Sequence, residues 1–308
     1  MSTGRAVANG SSVYVYDFDG SSKIYEYDIS KNIWCNEIQC PRRSPSLAVV
    51  NGLLTIVGGR NPMSTHTYTS FLDSACNTLL SLERRKDGTK QWSELLKPMR
   101  TAIHQPVSTC NGEYLVVAGG IYTPSVEVMT IDTQEWHDTS LPKNDGKIGS
   151  ATIIRDNLYI TFVHDSISSS CSVITSSLTK LAENSTSIQS VVKPLLWHKL
   201  QGPPLYTAHT VQLCGNLLAI GANVDKEYDW KEMKNVYQCN GSAYAFDEEK
   251  GKWILVCRLP SDVGFPDHQF VIASLSDERI IVIGGTQYTN NEDERSPHSD
   301  IVHVGSVL

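Results

Sequence analysis

Strand-sized apolar runs recur along the chain, each bounded by turn residues, and no long stretch keeps a 3.6-residue apolar period capped at both ends. The pattern predicts strands almost everywhere. It also repeats: a short apolar strand, a turn often made of Asn-Gly, a second apolar strand ending near Gly-Gly, a variable stretch, then a strand containing Trp. The second copy reads Ser46 to Val50, Asn51-Gly52, Leu53 to Val57, Gly58-Gly59 and Gln91-Trp92. The third reads Asn111-Gly112, Tyr114 to Val117, Gly119-Gly120, Val126 to Met129 and Trp136. The fifth has Val211 to Cys214, Gly215-Asn216, Leu217 to Ile220, Ala243 to Phe246 and Trp253. The sixth has Val271 to Leu275, Ile280 to Ile283, Gly284-Gly285 and Ile301 to Val304. Two copies are degenerate. The first has Asn9-Gly10, Val13 to Tyr16 and Trp34; the fourth has Asp156-Asn157, Leu158 to Phe162 and Trp197. Trp230 alone among the tryptophans falls in a loop.

Each part of the unit has a physical role. Asn-Gly supplies the positive φ of a type I′ hairpin turn, and β-branched and aromatic residues fill a pleated surface. Gly-Gly lets a neighbouring chain come close where a side chain would clash. One Trp per unit can bury a large area between adjacent sheets. Tandem four-stranded units that cannot stand alone close into a propeller, and the period here, about 45 to 60 residues, lies near the ~50 of kelch repeats.

The chain resembles kelch-repeat proteins, and over its whole length it is similar to uncharacterised six-bladed kelch sequences of early-branching animals. The stretches that carry this are Leu47 to Gly59, Leu115 to Gly120, Asn77 to Leu82 and Leu217 to Gly221. The resemblance implies an all-β fold, a single six-bladed kelch-type β-propeller over residues 1–308. The blades fall near 1–39, 40–97, 98–142, 143–202, 203–260 and 261–308. Kelch propellers usually close with strands from both termini in one blade, which removes an open edge. Here the last unit stops after its third strand, so the last blade is expected to lack its outer strand. Either a strand preceding Met1 belongs there, or the blade has three strands.

Composition narrows the function. A net charge of −7 argues against a nucleic-acid partner. No apolar run reaches the length of a membrane helix, and Met1 to Gly10 has no secretory h-region, so an intracellular protein is expected, with no membrane partner. The eight cysteines are scattered, and only Cys35 and Cys40 are close in sequence. They read as reduced thiols, with Cys110, Cys214 and Cys257 expected to act as small strand hydrophobes.

Little chemistry is visible. The Gly-Gly pairs lack the Gly-Lys-Ser/Thr of a phosphate loop, and there is no nucleophile elbow, His-Glu-x-x-His or EF-hand loop. Lys86 to Trp92 reads as a hairpin turn. Asp225-Lys226-Glu227, Asp247-Glu248-Glu249 and Glu292-Asp293-Glu294 read as solvated loop charges rather than convergent catalytic carboxylates. Some kelch propellers are enzymes (a copper oxidase, sugar-acid mutarotases, plant specifier proteins), but their ligand sets do not map onto these residues. His104, His209 and His268 lie near the starts of first strands, but at different offsets from the following glycines. No metal, cofactor or catalytic residue is therefore assigned.

What remains is the set of loops leading into each first strand. They carry Arg42-Arg43-Ser44, Arg100 with His104, Lys147, Tyr206 with His209, and Asp267-His268. Kelch adaptors of ubiquitin ligases bind acidic peptides with Arg and Ser at comparable places, since Arg offers a planar fork of donors to a carboxylate. The expectation is an interaction module whose loop face binds a protein or peptide. The alternative is a propeller enzyme or sugar-binding protein acting at the channel mouth. The polar stretch Ser176 to Lys193 is expected to be a long exposed loop.

Overall fold

The computed structural model describes residues 5–16, 22–62, 74–119, 125–142, 146–164, 171–179, 196–205, 207–229, 231, 234–259, 270–276, 278–284 and 302–306. They form six sheets. The first contains β1 (Arg5–Asn9), β2 (Ser12–Tyr16), β3 (Lys23–Asp28) and β4 (Ile33–Gln39). The second contains β5 (Ser46–Val50), β6 (Leu53–Val57), β7 (Leu79–Arg84) and β8 (Lys90–Ser93). The third contains β9 (Pro106–Cys110), β10 (Tyr114–Gly119), β11 (Ser125–Thr130) and β12 (Glu135–Ser140). The fourth has β13 (Lys147–Ile154), β14 (Asn157–Val163), β15 (Ser172–Ser177) and β16 (His198–Leu200). The fifth has β17 (Thr207–Leu213), β18 (Asn216–Asp229), β19 (Lys234–Asp247) and β20 (Lys252–Arg258). The sixth has three strands among the described residues, β21 (Phe270–Ser276), β22 (Arg279–Gly284) and β23 (Val302–Ser306). In every sheet the strands lie in chain order.

The chain divides into two compact units. One comprises Met1–Asn144, Ala151–Tyr159 and Thr175–His198; the other comprises Asp145–Ser150, Ile160–Ile174 and Lys199–Leu308. In the first unit β1, β5 and β9 lie side by side. Tyr16, Ile24, Leu47, Leu54 and Ile56 pack together between the first two sheets, and Val57, Leu79, Met99, Leu115 and Met129 between the second and third. A middle strand covered on both faces needs no polar alternation. All six residues of β10, Tyr-Leu-Val-Val-Ala-Gly, are accordingly buried. Each fully buried aliphatic side chain there contributes roughly 1.5–3 kcal/mol. In the second unit β17 and β21 are neighbours, and Ile220, Ala222, Ala243, Phe270 and Val282 form the corresponding core.

The recurrent tryptophan does more than bury area. In the first unit Trp92 Nε1 donates to Gln39 O at 2.9 Å and Trp136 Nε1 to Lys97 O at 3.0 Å. In the second, Trp253 Nε1 donates to Gln201 O at 2.7 Å. These three indoles thus bind carbonyls at or beyond the end of the preceding sheet's last strand, whereas Trp34 on β4 is exposed and sets its ring against Tyr27 and Tyr25. One residue supplies both apolar area and a satisfied donor. Trp197 departs from this plan: it precedes β16 rather than lying in it.

The turns differ from the Asn-Gly rule in detail. Asn51 and Gly52 have φ of 51° and 75°, as a type I′ turn requires. At Asn111-Gly112 only the glycine is left-handed, and Asn111 Oδ1 instead accepts from the N–H groups of Glu113 and Tyr114. In the fifth sheet the left-handed pair is Cys214-Gly215, one residue earlier than Gly215-Asn216. Lys86 to Trp92 does turn a hairpin, with Asp87 accepting from the Thr89 N–H and hydroxyl.

Two other expectations are corrected. Asp225, Lys226 and Glu227 are not in a loop. They pair with Gln238, Tyr237 and Val236 in the long β18–β19 ladder, because the apolar pattern of these strands ends before their backbone pairing does. Cys214 and Cys257 are exposed, whereas Cys40 and Cys171 are buried; all seven described cysteines are free. Burial pushes the Cys40 and Cys171 thiols up to about 12.

Candidate functional site

In the first unit the sequence Gly58-Gly59 brings together three basic residues. Both glycines have positive φ. A β-carbon on Gly58 would lie 2.7 Å from Ile103 O, and one on Gly59 would lie 2.8 Å from Arg43 O. Neither contact would tolerate a side chain. The freed space lets Gly59 N–H donate to Ile103 O at 3.0 Å, while Gly59 O accepts from Cys76 N–H at 2.9 Å. The chain leaving this turn then pairs on both sides. Arg60 forms isolated antiparallel bridges with Arg43 and with Ala75. Arg43 N–H donates to Arg60 O at 3.0 Å, and Arg60 N–H donates to Arg43 O at 2.9 Å.

Arg43 and Arg60 are therefore directly opposed. Such a pair holds its β-carbons about 4.5–5.5 Å apart, and like charges so placed are unfavourable. Both residues are half-buried. Arg43 makes no side-chain hydrogen bond or ion pair among the described residues. His104, buried at 9% exposure, completes the group. Burial, with a smaller contribution from the Arg60 charge, lowers its pKa to about 4. Ser44 lies alongside with φ of 48°, and its N–H donates to Tyr16 Oη at 3.1 Å.

The neighbouring arginines have internal partners. The Arg42 guanidinium bonds Cys76 Sγ and, at 2.6 Å, Thr78 Oγ1. It ties the loop to the second sheet. The Arg100 guanidinium pairs with Asp138, while the N–H groups of Arg100 and Thr101 each donate to the Glu127 carboxylate at 2.8 Å. That carboxylate is fully buried.

The second unit holds the remaining candidates. Lys147 is exposed at the start of β13. His209 on β17 is half-buried and sets its ring edge-on to Phe270, with centroids 4.9 Å apart. Tyr206, Asp267, His268 and most of Ser176 to Lys193 lie outside the described residues. Among the described residues no three His, Cys, Asp or Glu side chains gather as a metal site requires.

The structure thus joins Arg43, Ser44 and His104 through Arg60, which the sequence reading did not single out. Its signal was an arginine immediately after a glycine pair. Protonation of His104 gives a test of the packing. The unfolded histidine takes up a proton near pH 6.5, the folded one only near pH 4. Stability is therefore complete above about pH 6.5 and is lost as pH falls toward 4, by at most roughly 3 kcal/mol. Denaturant midpoints at pH 7.5 and 5 should show wild type losing stability that a His104→Leu variant does not lose. Equal losses would contradict a neutral, buried imidazole.

No helix among the described residues is long and apolar enough to cross a membrane. No protein-family profile matches the chain, and no curated protein matches it. Solved structures do. One described as the structure of YjhT aligns with a TM-score of 0.63 over 99% of this chain and 97% of that chain, at 12% sequence identity. The fold is a β-propeller. At that identity the likeness extends to fold alone, and propellers host many unrelated functions. Function has to be argued from the propeller's own residues.

Proposed function

We propose that this propeller is a protein-interaction module of kelch type, and that it binds an acidic segment of its partner where Arg43, Arg60 and His104 gather. Propellers commonly serve as interaction scaffolds, which supports the class. The observation that carries the site is the direct opposition of Arg43 and Arg60. The backbone bridge sets two half-buried arginines on opposed positions, and an anion bound beside Arg43 would meet the positive field of both. The Arg43 guanidinium would hold a peptide carboxylate in bidentate fashion, and the Ser44 hydroxyl would add an adaptable donor. His104 packs beside them as a buried, neutral imidazole and adds no competing charge. Arg42 and Arg100 shape the rim through their internal bonds.

Binding of an acidic peptide library to wild type and to Arg43→Ala, Arg43→Lys and Arg42→Lys tests the reading. Arg43→Ala should weaken the selected peptides by about tenfold or more, since charge-assisted hydrogen bonds are worth about 1.5–3 kcal/mol. Arg43→Lys should restore only part of that, because an ammonium lacks the planar fork. Binding indifferent to Arg43 would remove the site.

A further inference from the structure

The fifth sheet ends in a long strand with an exposed apolar run. β20 reads Lys-Trp-Ile-Leu-Val-Cys-Arg over Lys252–Arg258. Among the described residues its one sheet neighbour is β19, so its other edge has no strand beside it there. Three successive apolar residues are exposed there: Ile254 at 47%, Leu255 at 46% and Val256 at 57%. β8 and β16 are short, with four and three residues, β12 carries Glu135 and Asp138, and β4, which also exposes Ile33 and Trp34, carries Glu37 within the strand. Lys252 and Arg258 bracket the β20 run, both exposed and without an ion pair among the described residues.

We infer that the free edge of β20 is a docking site for a short extended peptide whose apolar residues are flanked by carboxylates. Backbone pairing would supply affinity, and alternate side chains would supply selectivity. The charges select the occupant. A second copy of β20 would bring another Lys252 and Arg258 to the same short edge, and like charges brought together there are unfavourable. A strand with Asp or Glu at both ends meets those cations instead. The length is also limited. The β19–β20 register shifts between Ala243 and Tyr244, which leaves Val256 as the extra residue of a bulge. A bulge interrupts the edge, so added pairing is confined to about Lys252–Leu255. Val256 and Arg258 then contact the end of the added strand. This site is separate in sequence and sheet from the Arg43 cluster and does not depend on it.

The probe is a fluorescein-labelled peptide, Glu-Val-Thr-Val-Ile-Glu, followed by anisotropy. Saturable binding to wild type is expected. It should fall at least tenfold in a Lys252→Glu, Arg258→Glu double variant, and recover toward a peptide with lysines in place of the glutamates. A peptide N-methylated at alternate residues should bind at least tenfold more weakly, because it cannot complete a ladder. Absence of saturable binding to wild type would overturn the inference. Equal binding by the charge-reversed variant, or by the N-methylated peptide, would do the same. Binding lost in Arg43→Ala but kept in the double variant would place the peptide at the arginine pair, overturning the β20 site while supporting the other. Circular dichroism of each variant confirms that the exposed substitutions leave the fold intact.

Discussion

Gly202→Ala is expected to be the most damaging added methyl among the described glycines. A β-carbon at Gly202 would overlap the backbone carbonyl group of Cys171. The obstruction is backbone, so no rotamer change relieves it. The connection from β16 to β17 would have to lift away. That movement strains the bond from Cys171 N–H to Leu205 O, 2.9 Å, and the bond from Trp253 Nε1 to Gln201 O. It also disturbs the packing of fully buried Leu205 with Cys171, Ala208 and Ala219. Overpacking into immovable atoms costs about 3 kcal/mol or more. Gly112→Ala is the control. That residue has φ of 90° but nothing within 4 Å of a β-carbon, so its cost is purely conformational, about 1–2 kcal/mol. Urea midpoints of the two variants should differ clearly, with Gly202→Ala the lower or recovered only from inclusion bodies. Comparable losses would show that close approach is not what fixes glycine at 202.

Glu127→Ala is expected to have the second largest effect. Glu127 lies in β11, fully buried, opposite Val117 on one side and Asp138 on the other. Its two oxygens accept from the N–H groups of Arg100 and Thr101, each at 2.8 Å. Arg100 in turn pairs with Asp138, which offsets the like charge across the strands. Truncation to Ala leaves two backbone donors without an acceptor, at about 1–3 kcal/mol each. The loop into β9 should loosen. Glu127→Gln keeps one good acceptor and should lose roughly half as much. Hydrogen exchange at the Arg100 and Thr101 amides, read beside the denaturant midpoint, separates this from a general loss of stability. Unchanged protection of those two amides in Glu127→Ala would refute the bridging role.

Much of this molecule was legible in order. The strands Ser46–Val50 and Leu53–Val57 appear with the bounds their apolar pattern predicts, because a five-residue β-branched run between turn residues has few other solutions. Turn positions were less legible. Cys214 takes a left-handed conformation that its residue type does not favour, so the flanking ladder sets that register rather than the local sequence. The candidate site was only partly visible. Arg43, Ser44 and His104 stood out as polar residues before first strands. Arg60, however, joins them through a bridge formed across two loops, and spacing along the chain does not reveal which loops will pair. The role of Glu127 was hidden for the same reason, since a carboxylate in an apolar strand looks like an exception until its two donors are seen.

By itself the sequence determined the strand periodicity, the sheet count among the repeats and the tryptophan that recurs in five of the six units, all of which follow from local patterns repeated at a regular period. The tertiary structure decided which carbonyls Trp92, Trp136 and Trp253 meet, which arginines bind internally, what stands beside Gly202 and where, among the described residues, an apolar strand has no second neighbour. Those are properties of residues tens of positions apart. Their energies depend on distances of a few tenths of an ångström, and only the packed chain sets such distances.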